Sequence, residues 1–205
     1  MAHVHQYPEE RFRVAAVQAS PEYMDRKATT EKTCRLVRQA AGEGADVVGF
    51  PETFIPGYPY WNWVNAPIDG YDWYKRYRRE SVDVPGPEVD QLKSVADETD
   101  TTLVVGITER DPNTVGTLYN TNLVISHEGE LLGKHRKLVP THAEKLSWGR
   151  GDGSSLRTYE TPHGNLGTLA CGENTNPLAR YALMAQGEQI HVSNYPAFHF
   201  DQEYD

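Results

Sequence analysis

Apolar and polar positions alternate along residues 11–19, where Phe12, Val14 and Ala16 interleave with Arg13, Ala15 and Val17. A period of two predicts a strand. The period changes over residues 27–41, where Thr33, Leu36, Val37, Ala40 and Ala41 fall on one helical stripe that Gly42 and Gly44 bring to a close. Residues 45–52 form a short, continuous apolar run, the pattern of a strand buried on both faces. Strand, helix, strand in this order predicts a parallel βαβ pair.

Beyond residue 80 the pattern gives a second helix over 88–99 and a strand over 101–108. Residues 118–126 and 130–138 flank His127-Glu128-Gly129, which reads as a hairpin with glycine supplying the positive φ. Residues 157–161 and 166–170 flank Pro162-His163-Gly164-Asn165 and read as a second hairpin. A helix over 177–186 opens on Pro177, and a strand over 189–195 follows. Residues 1–10 read as a flexible leader and 11–205 as one domain of the α/β or α+β layered class. The segment 56–79 stands apart, because it carries Tyr58, Tyr60, Trp61, Trp63, Tyr71, Trp73, Tyr74 and Tyr77. Three readings fit such a density of rings: a pocket lining, a contact with another subunit, or core.

Charge and composition narrow the classes. Lys and Arg number 20 against 29 Asp and Glu, a formal charge of -9, which argues against nucleic acid or an anionic membrane as the main partner. Hydrophobic residues make up 38%, so the core is modest. No apolar run approaches the ~18 residues of a membrane helix, and the N-terminus has no apolar core of the signal-peptide kind. Cys34 lies among apolar residues of a helical stripe and reads as a buried thiol. Cys171 lies in a different context, so no disulfide is expected and the reading is a cytoplasmic protein. The eight histidines form no zinc pattern, and Gly149, Gly151 and Gly153 lack the lysine of a phosphate loop. No metal, nucleotide or other cofactor is indicated.

Candidate chemistry gathers at three strand ends. Cys171 follows the apolar run Leu166–Ala170 and precedes the helix opening at Pro177; a neighbouring helix N-terminus would favour its thiolate. A lone cysteine on an apolar run is more often a small core residue. Glu52 follows Phe50-Pro51, where burial would raise its pKa and suit it to act as a base. Lys137 closes the basic stretch Lys134-His135-Arg136-Lys137, whose alternation sets Lys137 and His135 on one face and Arg136 on the other. A solvated basic face is the competing reading.

Three ordered segments resemble a known family: Phe50-Pro51-Glu52-Thr53, Arg136-Lys137-Leu138-Val139-Pro140-Thr141-His142-Ala143-Glu144, and Leu169-Ala170-Cys171-Gly172-Glu173-Asn174. They are similar to the nitrilase branch of the carbon–nitrogen hydrolase superfamily, and the similarity runs in register from about residue 11 to about 196, through 177–191. The resemblance implies an αββα sandwich and a triad of Glu52 as general base, Lys137 as catalytic amine and Cys171 as nucleophile, with Lys134 the fallback for the amine. It also implies that Glu144 orients Lys137 and the attacking water, the alternative being an ordinary loop carboxylate. Glu173 is expected to be structural, capping the helix that follows, and His142 a neutral hydrogen-bonding group. Many nitrilases have Trp directly after the nucleophile; Gly172 stands there in this chain, which bears on pocket shape.

The reaction implied is hydrolysis of a small-molecule nitrile to the acid and ammonia, without a cofactor. The alternatives are an aliphatic amidase with the same triad and an inactive fragment or interaction subunit. Nitrilases assemble through dimers into larger spirals, so a homo-oligomer is expected. The family's chains continue with further strands and helices. The expectation is therefore that this chain is the N-terminal portion of the family domain, with unpaired sheet edges, a partly uncovered inter-sheet face and little turnover by itself.

Overall fold

The computed structural model describes residues 11–196, and the leader expected over 1–10 lies outside the described residues. The βαβ unit opens the fold as β1 (Val14–Ala16), α1 (Arg26–Gly42) and β2 (Val47–Gly49), with β1 and β2 parallel. Asp25 starts α1 by accepting a hydrogen bond from Ala28 N at 2.9 Å. Gly44, at φ +86°, turns the chain out of it. Both strands are shorter than the apolar pattern suggested. β2 stops because Pro51 has no N–H to extend the ladder.

The aromatic segment folds as α2 (Trp61–Val64) and α3 (Tyr71–Arg79), followed by α4 (Pro87–Thr99) and the long strand β3 (Thr102–Arg110). β4 (Leu118–Ile125) and β5 (Leu131–Arg136) form the expected hairpin, with Gly129 at φ +71°. These strands make one sheet in the order β1-β2-β3-β4-β5. The chain continues through β6 (Leu166–Ala170), α5 (Pro177–Met184) and β7 (Ile190–Asn194), and β6 and β7 pair in parallel as a second sheet. The expected second hairpin reduces to a single bridge, Tyr159 to Leu166. Upstream of Tyr159 the chain leaves the ladder: Arg157 N donates to Ser155 O and Thr158 N to the Gln186 side chain.

The layers follow from which faces are apolar. On the outer face of the large sheet, Val48, Leu103, Val105, Ile107, Leu123 and Ile125 pack against Cys34 and Val37 of α1 and Val89, Leu92 and Val95 of α4. Its inner face offers Val47, Val104 and Val124 to Tyr159, Leu166, Ile190 and Val192 of the second layer. Leu169 of β6 then meets Ala179 and Leu183 of α5. Helices, sheet, sheet, helix is the layering expected. Fully burying each such side chain contributes about 1.5–3 kcal/mol.

Of the three readings of the aromatic segment, core holds for part of it. Tyr58, Trp61 and Tyr77 are core, packed with Met24, Leu118 and Trp148. Trp63, Tyr71 and Trp73 stay exposed. Among the described residues, β1 and β7 each have a strand partner on one side only, and a groove of about 1050 Å³ runs between them from Val14 to Pro51 and Tyr195. No helix among the described residues is long and apolar enough to cross a membrane.

Cys34 is buried, with Sγ 3.8 Å from the Gln91 carbonyl oxygen, and burial pushes its thiol up. We expect Cys34→Ala to leave catalysis untouched and to lower stability by about 1–2 kcal/mol through lost packing. Chemical denaturation measures that shift, and a variant that lost reactivity with its stability intact would contradict it.

Candidate active site

Glu52 stands on the turn that ends β2. Gly106 of β3 lets that turn lie directly on the strand, since a Cβ there would collide with the Pro51 carbonyl oxygen and stand 2.6 Å from Thr53 N. The Glu52 carboxylate is 2% exposed. Its Oε1 accepts from Lys137 Nζ at 2.8 Å and from Asn120 Nδ2 at 2.6 Å, whereas the equally buried Oε2 has no hydrogen-bond partner. Burial, with the negative charge of Glu144 adding to it and Lys137 opposing, raises Glu52 to about 7.

Lys137 follows β5 directly, its N–H donating to Asn120 O. It shares the inward face with His135, as the alternation required. Lys134, the fallback amine, turns to the opposite face and joins Arg136 in pairing with the buried Glu109. Lys137 Nζ bridges Glu52 Oε1 and Glu144 Oε2 at 2.8 and 2.7 Å. Burial pulls the ammonium down, but the two carboxylates outweigh it and its pKa lies above the ordinary value.

Glu144 sits in the 3-10 turn His142–Leu146, where its Oε2 also accepts from Thr141 N at 2.6 Å. Its Oε1 accepts from the Tyr58 hydroxyl at 2.7 Å. It is thus a fully buried carboxylate whose partners fix it against the lysine. His142, at φ +44°, stacks its ring on Trp63 with centroids 5.6 Å apart.

Cys171 closes the cluster. At the end of β6 it takes φ +49°, a left-handed conformation that costs a non-glycine residue roughly 1–3 kcal/mol. Its Sγ and one oxygen each of Glu52 and Glu144 all lie within 4.8 Å of one another. Two carboxylates and a thiol are groups that could hold a metal ion. Lys137 Nζ already lies within hydrogen-bonding distance of both carboxylates, so the cation of this cluster is the ammonium. A short 3-10 stretch, Cys171–Thr175, opens at this residue, and burial, then the charge of Glu52, pushes the thiol up to about 11. Cys171 therefore rests as a thiol and needs a base.

Glu173 does not cap α5; Asn176 does, accepting from Leu178 N at 3.0 Å. Glu173 instead accepts from Leu138 N and Ala170 N at 2.6 and 2.9 Å and meets His135 Nε2 at 3.1 Å. It ties the residue after Lys137 to the residue before Cys171. Burial raises its pKa, but His135 and the two amides outweigh burial and leave it below the usual carboxylate range. Sequence reasoning missed two neighbours. Asn120 carried a signal, being polar at an inward position of an apolar strand; Tyr58 was one ring among many.

An αββα sandwich with a buried Glu-Lys-Glu cluster facing a strained cysteine defines the class. The chain belongs to the carbon-nitrogen hydrolase family, whose model matches residues 13–203. It is 47% identical over 190 residues to a nitrilase of Bacillus sp. (strain OxB-1), covering 93% of this chain and 54% of that protein. It is 42% identical over 186 residues to an aliphatic nitrilase of Rhodococcus rhodochrous, covering 90% and 50%. The chain thus spans about half the length of these curated relatives. The crystal structure of a carbon-nitrogen hydrolase from Helicobacter pylori G27 has the same fold, with a TM-score of 0.73 at 19% identity, covering 94% of this chain and 63% of that one.

Proposed function

We propose that these residues form the active site of a nitrilase, with Cys171 as nucleophile, Glu52 as general base, Lys137 as electrostatic stabiliser and Glu144 as the group that orients Lys137. The observation that carries this reading is the buried Glu52 carboxylate in the cluster that also holds Cys171 Sγ, with its Oε2 lacking a hydrogen-bond partner among the described residues. A base needs one free acceptor near the proton it takes. Glu52 takes the thiol proton as sulfur adds to the nitrile carbon and passes it to the nitrogen of the resulting thioimidate, where Lys137 supplies positive charge; this leaves Glu52 ionised for the next step. Water activated by Glu52 adds, ammonia leaves and a thioester remains; a second water releases the acid and restores the thiol. Two waters and one nitrile give one acid and one ammonia, with side chains alone supplying the chemistry.

Ammonia release from simple nitriles and the matching amides tests the assignment. Release from nitriles supports it, and release from amides alone identifies an amidase. The titration of Glu52 gives a further prediction. The base works only when ionised, so Cys171 alkylation by iodoacetamide should climb as pH rises through about 7 and fall away below it. Glu52→Gln should lose that step in the profile; an unchanged profile would remove Glu52 from the base role.

A second copy of the chain is the partner we propose beside the nitrile. Leu178, Tyr181 and Met184 leave an apolar stripe exposed on α5, which supports a homo-oligomer. Two unpaired cysteines support a reducing, cytoplasmic setting.

A further inference from the structure

The segment 174–193 carries a polar network outside the Glu-Lys-Glu cluster, and it converges on the backbone of Cys171. Asn174 Nδ2 donates to the carbonyl oxygen of Cys171 at 2.9 Å and to that of Leu169 at 3.2 Å. With its nitrogen committed to two acceptors, Asn174 presents Oδ1 outward. There it accepts from Ser193 Oγ at 2.8 Å and from His191 Nε2 at 2.7 Å, so that ring nitrogen carries its proton. The far nitrogen of His191, Nδ1, faces Glu188 Oε1 at 2.6 Å and also Arg180, which itself pairs with Glu188 at 3.2 Å. The series runs from α5 through β7 to the residue with the left-handed turn.

Resting on the nitrilase reading, we propose that Asn174, oriented by His191 and Ser193, is a positioning residue that holds Cys171 in its strained conformation. The physical reason lies in what φ +49° requires. A cysteine relaxes from that region unless its surroundings over-determine it. Asn174 grips the carbonyl of the strained residue and, with the same amide group, the carbonyl two residues earlier in β6. That clamp fixes the exit of the strand relative to the start of the turn, and so the direction in which Sγ leaves the backbone. Turned through His191 and Ser193 of β7, the amide cannot flip, because flipping would place Oδ1 against two carbonyl oxygens. Relaxation of Cys171 would carry Sγ away from Glu52 with no change to Glu52, Lys137 or Glu144.

The test uses the 205-residue chain and the rate of Cys171 alkylation by iodoacetamide, mapped by peptide mass, beside the thermal midpoint and the alkylation pH profile. Asn174→Asp keeps shape and removes both donors. His191→Phe keeps a ring and removes the Nε2 proton, while His191→Gln restores a donor. Displacing a reacting group by about 1 Å can cost as much as about 10²-fold. Asn174→Asp and His191→Phe are therefore expected to slow alkylation at least about tenfold, with the pH step near 7 preserved because Glu52 is untouched. His191→Gln is expected to recover most of the loss. Should Asn174→Asp fail to fold, the pair His191→Phe and His191→Gln decides alone. Wild-type alkylation rates in folded Asn174→Asp or His191→Phe would overturn the proposal, as would equal losses in His191→Phe and His191→Gln. Failure of the nitrilase reading is distinguishable, since it shows as an unchanged alkylation profile in Glu52→Gln.

Discussion

Cys171→Ala is expected to abolish nitrile turnover, by about 10⁴-fold or more, while leaving the fold in place. The size of the effect follows from the chemistry. Sulfur supplies the atom that bonds to the nitrile carbon, and among the described residues the second cysteine, Cys34, is buried in the cluster against α1 and α4. The small structural cost follows from the packing, because Cys171 is only half-buried and alanine meets the same left-handed backbone with no added bulk. Ammonia release and circular dichroism measure the two halves of this expectation. A folded alanine variant retaining about a tenth of the wild-type rate would remove Cys171 from the nucleophile role.

Lys137→Met should be nearly as severe for turnover and far more so for stability. The ammonium lies within 2.8 Å of two buried carboxylates, and methionine leaves both without their cation. Removing one partner of a buried ion pair costs about 3–5 kcal/mol. The cost depends on pH in a defined direction. Without Lys137, burial and the charge of Glu144 hold Glu52 above its unfolded-state pKa, so the folded protein binds a proton more tightly there than the unfolded one. The loss is then smallest in acid, where Glu52 is protonated in either state, and grows as pH rises through neutrality. Glu52 also loses the charge that was lowering it, so the base stays protonated at pH 7 and Cys171 alkylation slows there, recovering in more alkaline solution. Denaturation at pH 5 and 8 tests the first part. Equal stability of variant and wild type at both pH values would contradict the buried cluster.

The parts of this site legible in the sequence are those that local pattern can carry. Glu52 and Cys171 each close an apolar run, and strand alternation alone separates Lys137 from Arg136. Strand and helix order along residues 14–49 and 87–110 was legible for the same reason, because period and glycine placement are local, whereas α2 and α3 of the aromatic segment were not. What the sequence did not show depends on chain segments far apart meeting in space. The Tyr58 hydroxyl finds Glu144 86 positions away, and Asn120 finds Glu52 68 positions away. Glu173 looked like a cap for the next helix because it precedes Pro177; its role as a tie exists only once the chain leaving β5 meets the end of β6. The burial of Cys171 and the carboxylate facing it were not legible for a related reason: a helix terminus is visible in sequence, whereas long-range packing is not.

The central claim is that Cys171 attacks a nitrile under the control of Glu52, and the mass of the covalent intermediate tests it most directly. The chain is mixed with a simple nitrile, quenched in acid, and its intact mass and cysteine-containing peptides are measured. The expected result is an adduct of the thioimidate or thioester mass on the peptide carrying Cys171, none on the peptide carrying Cys34, and none in Cys171→Ala or Glu52→Gln. Ammonia released from the nitrile by Cys171→Ala, or an adduct that forms at the wild-type rate in Glu52→Gln, would contradict it.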